Sequence, residues 1–266
     1  MGIKLSITNL VEASAASVLA SHQTSNYCST EAQTPQRPFI PWRTSTTTSS
    51  ADLIVDLGSS QTVGLVALLN ANFTCARIQG ASSSGGLFAA PPYDETVQLA
   101  RNPWTGRYQH THLTTGFGYR YLRLRIPSQE PTDGVFYYEL GGIWAGTLST
   151  TPKGWRWDVG AERLEPKIDV APQHGGWRQR SQMGDPLLRL QATLLAGVLT
   201  ASPASGDDLD DTLDLQRQLW DADYFFCYLT TGDVSQGYVM RSADDPLWTV
   251  GPGLAETPWT LEEVVR

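Results

Sequence analysis

The side chains that could do chemistry are few, and their spacing limits what they could do. The four histidines of the 266-residue chain are His22, His110, His112 and His174. His110 and His112 are two apart, so on a strand both point to one face, a spacing that can hold a metal ion. No Asp, Glu or Cys completes a ligand set beside them, so they read as strand-surface histidines and no metal is expected. The acidic run Asp207-Asp208-Leu209-Asp210-Asp211 lacks the central Gly and closing Glu of a helix–loop–helix calcium site. It fits the start of a helix, where carboxylates meet the positive end of the helix dipole. There is no G-x-S-x-G turn, P-loop or dinucleotide fingerprint. A pair of glycosidase carboxylates is set by space and not by sequence, and nothing points to one among the 27 acids. The expectation is a non-enzymatic protein with no cofactor.

Aromatic residues offer a different chemistry. PPYDE at 91–95 and NPWTGRYQH at 102–110 place Tyr93, Trp104 and Tyr108 in loop-like surroundings. Flat rings on loops can stack on sugars or pack into a partner; the alternative is that they cap the bottom of a β-sandwich. These three are the carbohydrate-binding candidates.

Composition removes several function classes. The formal charge is −8 and there is no block of Lys and Arg, Trp177-Arg178-Gln179-Arg180 being the nearest approach. Nucleic-acid binding needs a basic face, so none is expected. No segment has the roughly 20 apolar residues that cross a bilayer, so no membrane insertion is expected. Cys28, Cys75 and Cys227 match no zinc framework and read as reduced, buried thiols. The opening MGIKLSITNLVEAS has no long apolar core and does not read as a signal peptide. Asn72-Phe73-Thr74 fits the N-glycosylation pattern, which without a leader reads as coincidence.

The elements that must position these groups are strands. With 24 Gly, 16 Pro and frequent Thr, Val, Tyr and Trp, the chain favours short strands and many turns. Residues 52–57 and 63–69 alternate around Gly58-Ser59-Ser60-Gln61 and read as a hairpin, with Val63, Leu65, Ala67 and Leu69 on one face. In Thr115–Pro127, Leu122, Leu124 and Ile126 form a core face, opposite a cationic face of Arg123 and Arg125 turned to solvent or a partner. GTLSTTPKG at 146–154 reads as a linker. Beyond it come strands, with the period changing to helical near 208–220, where Leu209, Leu213 and Trp220 share a face.

Trp42-Arg43-Thr44-Ser45, the run from Leu53 to Leu68 containing Asp56-Leu57-Gly58, Gln61 and Val63, and Arg120-Tyr121-Leu122-Arg123-Leu124 together resemble the galactose-binding-like, discoidin-type β-sandwich. The match covers about residues 3–146. Many members of that family hold calcium on an Asp-rich loop; residues 21–42 offer only Glu31. The segments Arg180–Leu194, Asp208–Trp220 and Pro258–Val264 are similar to tail-tip and distal-tail proteins of long-tailed bacteriophages. The two resemblances imply a mostly β chain: an N-terminal jelly-roll sandwich over 1–146, a linker over 147–154, and a smaller β-rich C-terminal domain over 155–266 with one helix. They imply a structural component of a phage tail tip or baseplate, found in the virion tail and made in the host cytoplasm. It would assemble with copies of itself as a hexameric ring through the strand edges at 187–200 and 259–265. Its further partners would be tail-tube, tape-measure and other baseplate proteins, and a host-surface glycan. The alternative is a carbohydrate-binding module of a bacterial protein.

Overall fold

The structure is a computed structural model that describes residues 2–13, 16–35, 40–46, 50–102, 106–149, 155–156, 161–164, 167–172, 178–183, 187–197, 214–215, 217–219, 221–231, 234–242, 249–251 and 254–263. The chain is mostly β. Its strands are β1 (Gly2–Ser6), β2 (Ser17–Ala20), β3 (Trp42–Arg43), β4 (Ala51–Ala71), β5 (Cys75–Ala81), β6 (Tyr93–Gln98), β7 (Ala100–Arg101), β8 (Tyr108–Ile126), β9 (Glu139–Leu140) and β10 (Gly142–Gly146). They continue as β11 (Trp155–Arg156), β12 (Ala161–Leu164), β13 (Lys167–Pro172), β14 (Arg178–Met183), β15 (Leu187–Gly197), β16 (Phe225–Thr231), β17 (Val234–Ser242), β18 (Thr249–Gly251) and β19 (Leu254–Glu263). One short helix, α1 (Gly86–Ala89), and a 3-10 turn at Ser29–Gln33 lie between strands of the N-terminal half. Helical residues also occur between 214 and 221; residues 208–213 and Trp220 of the expected helix lie outside the described residues. Among the described residues no helix is long and apolar enough to cross a membrane.

Two compact units divide the chain. The first is Met1–Thr150 with Phe225–Val239, and the second is Thr151–Tyr224 with Met240–Val265. The sequence reading assigns Phe225–Val239 to the C-terminal domain. In the structure β16 runs antiparallel to β1, from Gly2↔Thr230 to Ser6↔Phe226.

Two long strands organise the first unit. The expected hairpin at 52–69 is instead one strand, β4, paired along its length with β8. Alternation along 51–57 is as read, with Leu53, Val55 and Leu57 buried. The misreading came from Gly58, whose φ of +78° suits a turn but here opens a bulge. Asp56 pairs with Tyr121 and Gln61 with Tyr119, so residues 57–60 face Arg120 alone. The Asp56 carboxylate holds this excess in place. It accepts from the Gly58 N–H at 2.9 Å and from Arg120 Nε and Nη2 at 2.7 and 2.8 Å. The Arg120 hydrogen bond, more than any other contact, holds the Asp56 carboxyl below its ordinary range.

A second bulge answers the first on the partner strand. Val63 pairs with Phe117 and Leu65 with Leu113, so 114–116 face Gly64 alone, and Gly116 has φ +75°. The side-chain alternation of β4 therefore flips near Gly64. Val63, Val66 and Leu68 face the sandwich core, while Leu65 and Ala67 do not belong to that core cluster. The expected shared face of Val63 with Leu65 and Ala67 is corrected accordingly.

Either side of the bulges, β4 and β8 recruit different neighbours. One half carries β2–β4–β8–β5–β6 and the other β10–β4–β8–β7. A single core joins the halves: Val55, Ile78, Leu122 and Leu124 from the first share a cavity with Val66, Leu68 and Ile143 from the second. The back of the second half is covered by the returning strands. Trp144 packs on Phe226 at 5.8 Å between ring centroids, and its indole N–H donates to Ser6 Oγ at 3.0 Å.

The cationic face expected on β8 is also corrected. Arg123 is only 4% exposed. It donates to both Asp52 oxygens at 2.9 and 2.8 Å, to Gln79 Oε1 at 3.2 Å and to the Leu87 carbonyl at 3.0 Å, beneath the Phe88 ring. Side chains bond to two of the edge strands, β10 and β2. Asn9 Nδ2 donates to the Ile143 carbonyl and Asn9 Oδ1 accepts from Ala145 N–H, both on β10, and Ser29 Oγ donates to the Val18 carbonyl of β2.

In the second unit β15 lies between β19 on one side and β11 and β12 on the other. Strand β19 lies between β15 and, on its other side, β18 and Met240–Ser242 of β17. Both strands expected to offer free edges for ring assembly are interior strands. Buried Trp259 donates its indole N–H to Ser242 Oγ at 2.6 Å, and β13 and β14 form a separate hairpin.

Gly80 tests the packing of the sandwich. A methyl group there would lie 2.5 Å from the Phe117 ring and 2.8 Å from Tyr119, whereas one at Gly118 meets nothing within 4 Å. Gly80→Ala is expected to lower unfolding free energy by about 1–3 kcal/mol through overpacking, and Gly118→Ala by clearly less, measured by urea denaturation.

Candidate functional site

Two clusters of chemistry-bearing side chains lie on the first unit, at different places. The first is built on the short ladder β3–β9, where Arg43 and Glu139 stand directly opposite. Opposed residues on antiparallel strands share a face, so the guanidinium meets the carboxylate: Arg43 Nε lies 2.5 Å from Glu139 Oε1, an ion pair whose N–H is not aligned for a hydrogen bond. The other oxygen, Oε2, is 3.0 Å from Arg107 Nη1. Arg107 also donates to Asp133 Oδ2 at 3.0 Å. One buried carboxylate therefore holds two arginines that reach the surface.

Asn72, itself buried, supports the arrangement. Its Oδ1 accepts from Glu139 N–H at 2.7 Å, and its Nδ2 donates to Asp133 Oδ1 at 3.2 Å and to the Tyr137 carbonyl at 3.0 Å. A side chain with both amide atoms occupied and no exposed surface is not an acceptor for a glycan, so Asn72-Phe73-Thr74 is a structural sequence in the folded state.

Aromatic rings complete the place. The Arg43 guanidinium carbon sits 3.8 Å from the centroid of Tyr27 and 5.1 Å from that of Tyr137. The chain holds this stack through the Arg43 N–H to the Tyr27 carbonyl at 3.1 Å. Among the described residues the two terminal nitrogens of Arg43 have no hydrogen-bond acceptor. Next to Tyr137, Phe136 is 84% exposed, the most exposed large apolar side chain described. The platform thus combines a planar donor fork and a partly exposed carboxylate at Asp133, with an exposed ring, Phe136, next in the chain to Tyr137.

The second cluster contains the sequence-derived residues. Tyr93 opens β6, and its hydroxyl lies 2.5 Å from His112 Nε2 on the other half of the sandwich. His110 stacks on His112 at 6.1 Å, and Tyr93 packs edge-on to Phe117 at 5.3 Å. His110 and His112 pair with Leu68 and Val66, both core residues, so the histidines face inward and are not the strand-surface histidines expected. Tyr93 and Tyr108 both pack against the core as half-buried rings. Trp104 lies outside the described residues.

Among the described residues no group of three or more His, Cys, Asp or Glu is placed to hold a metal ion. Cys28 and Cys75 are half-buried; only Cys227 is fully buried, and burial pushes its thiol up to about 12.

Sequence reading missed Arg43, Asn72, Glu139 and the rings of Tyr27, Phe136 and Tyr137 as a group. Arg43 stood within a motif used for fold alone. The signal that could have found the rest is Val135-Phe136-Tyr137-Tyr138-Glu139, three rings and an acid in a run at a strand start.

No protein-family model matches the chain, and no curated protein matches it. Solved structures similar to it include a GH29 fucosidase of Ruminococcus gnavus in complex with fucose, at 16% identity and TM-score 0.40, covering 53% of this chain and 27% of the fucosidase. A histidine mutant of the lectin binding domain of Lectinolysin complexed with Lewis b shows 13% identity and TM-score 0.41 over 55% of this chain and 99% of its own. The family 32 carbohydrate-binding module of Clostridium perfringens NanJ, in complex with galactose, shows 13% identity and TM-score 0.37 over 53% and 98%.

The histidine cluster generates a pH prediction. Burial is the main cause holding both imidazoles below their ordinary range; His112 adds to the effect at His110, while a hydrogen bond from the His110 ring to the Gln98 backbone carbonyl opposes it, and Glu95 opposes it at His112. Burial, then Glu95, raises the Tyr93 hydroxyl. Folding therefore favours the neutral histidines. Their contribution is complete above the unfolded value of 6.5 and is lost as pH falls below it. The urea midpoint is expected to drop between pH 7.5 and pH 5, and His110→Asn with His112→Asn should flatten that drop. An unchanged slope in the double variant would refute the assignment.

Proposed function

We propose that the first unit is a non-catalytic, carbohydrate-binding β-sandwich. The observation that carries this reading is the stacking of Arg43 on the rings of Tyr27 and Tyr137, in a segment whose preceding residue, Phe136, is 84% exposed. A pyranose offers apolar C–H faces and a ring of hydroxyls that both donate and accept. An exposed aromatic ring takes the first, and a guanidinium fork with a nearby carboxylate takes the second. The reading rests on this platform and not on the solved neighbours, although those are described with bound sugars.

Tyr93 and Tyr108 do not enter the binding surface in this reading, because both are spent on the core. The site in this reading is instead Arg43, Asp133 and Phe136.

Phe136→Ala should weaken binding of a recognised sugar about tenfold or more, equivalent to about 1.4 kcal/mol, without moving the thermal midpoint, because the ring supports nothing in the fold. A glycan array identifies the sugar and titration calorimetry measures the loss. Full retention of affinity in Phe136→Ala would remove the platform from consideration.

The phage-tail setting is a separate proposal, supported by the resemblance of Arg180–Leu194 and Pro258–Val264 to distal-tail proteins. Ring contacts made through β15 and β19 are withdrawn, since both strands are paired on each side. A ring would have to use side-chain faces. Its test is whether the chain is found in purified tails of a producing phage, and absence from them would end the proposal.

A further inference from the structure

We infer that Glu139 is the residue that makes this site select uncharged sugars over acidic ones; the inference rests on the sugar-binding reading above. Four charged groups meet here, Arg43 and Arg107 against Glu139 and Asp133, and their formal charges sum to zero. Two guanidiniums on a sheet end would by themselves form a carboxylate or phosphate receptor, since each is a planar fork matched to two oxygens. Glu139 removes that option from within. Its side chain is 3% exposed, and it occupies both arginines from the buried side, one with each oxygen.

What remains facing outward is a donor fork without excess positive charge. Arg43 can give two N–H bonds to neighbouring hydroxyls, and Asp133, 34% exposed at its side chain, can accept a hydroxyl proton. A sugar carboxylate would instead bring a third anion beside Glu139 and Asp133, in a place partly screened from water by Tyr27 and Tyr137. The chain as a whole carries −8, so its long-range field also disfavours an acidic ligand. Glu139 touches no ligand in this scheme. It is a positioning residue that acts through Arg43 and Arg107, and Asn72 fixes its backbone.

The test uses the full chain and matched pairs of methyl glycosides, galactose with galacturonic acid and glucose with glucuronic acid, titrated at low and at moderate salt. The wild type is expected to bind at least one neutral member at least tenfold more tightly than its acidic counterpart. Glu139→Gln keeps the shape and one acceptor but removes the shared counter-charge, leaving Arg43 without a carboxylate and Arg107 with Asp133 alone among the carboxylates described. It should shrink that preference at least tenfold, chiefly by tightening the acidic sugar, and the gain should fade as salt rises. Asp133→Asn, at the rim, should shift the ratio the same way by less, and it carries the test if Glu139→Gln does not fold. A merely structural Glu139 would weaken both sugars together and leave their ratio and its salt dependence alone; that result overturns the inference. A wild type that takes acidic sugars first also overturns it while sparing the sugar-binding reading. A wild type that takes none of the sugars removes both.

Discussion

The structure depends on one constraint: two strands of 21 and 19 residues must stay paired while belonging to two different sheet halves. A long flat ladder cannot fold back to enclose a core. The pair solves this with an excess of residues on β4 at 57–60 followed by an excess on β8 at 114–116. Each bulge increases local twist, and the second takes back two of the three residues by which the first displaced the register. Asp56 is central because the first bulge leaves backbone and side-chain donors that need an acceptor, and its carboxylate serves Gly58 and Arg120 together. Val55, Ile78, Leu122 and Leu124 can then face Val66, Leu68 and Ile143 across one dry core.

Charged groups on this sandwich are used as internal ties. Arg123 bridges Asp52 and Gln79, and Gln79 continues to Asp94, which pairs with Arg77. This polar chain crosses β4, β8, β5 and β6 on the face away from the core. At the end of the sandwich Glu139 plays a similar part for Arg43 and Arg107. The difference lies in what is left over. Arg123 is covered by α1 and all three of its nitrogens donate inside the fold, whereas Arg43 keeps terminal nitrogens without an acceptor among the described residues beside the ring of Tyr27.

Alternation and composition made the β class and the buried faces of 51–57 and 122–126 legible, because period-2 patterning follows from the pleat itself. The hairpin error had a local cause: a glycine with positive φ and two serines describe a bulge as well as a turn, and only the partner strand decides between them. Arg123 was misjudged because its neighbours Asp52, Gln79 and Leu87 are 36 to 71 residues away, beyond any sequence window. The candidate site was the least legible part. Tyr27, Arg43, Asn72, Arg107 and Glu139 come from five separate segments, and their chemistry exists only when the β3–β9 ladder and the loop before Thr74 bring them together. Tyr93 and Tyr108 were chosen for loop-like surroundings, yet each opens a strand, where its ring faces inward.

The Asn9 side chain deserves a wider reading. Its amide lies along β10 as a miniature extra strand, giving one hydrogen to Ile143 and taking one from Ala145, while Leu10 N–H reaches the Ala145 carbonyl at 2.8 Å. The backbone groups that another polypeptide would use to extend this sheet are already spoken for. A concentrated solution, a crowded surface or a partly unfolded sister chain therefore finds no strand template along that stretch of β10.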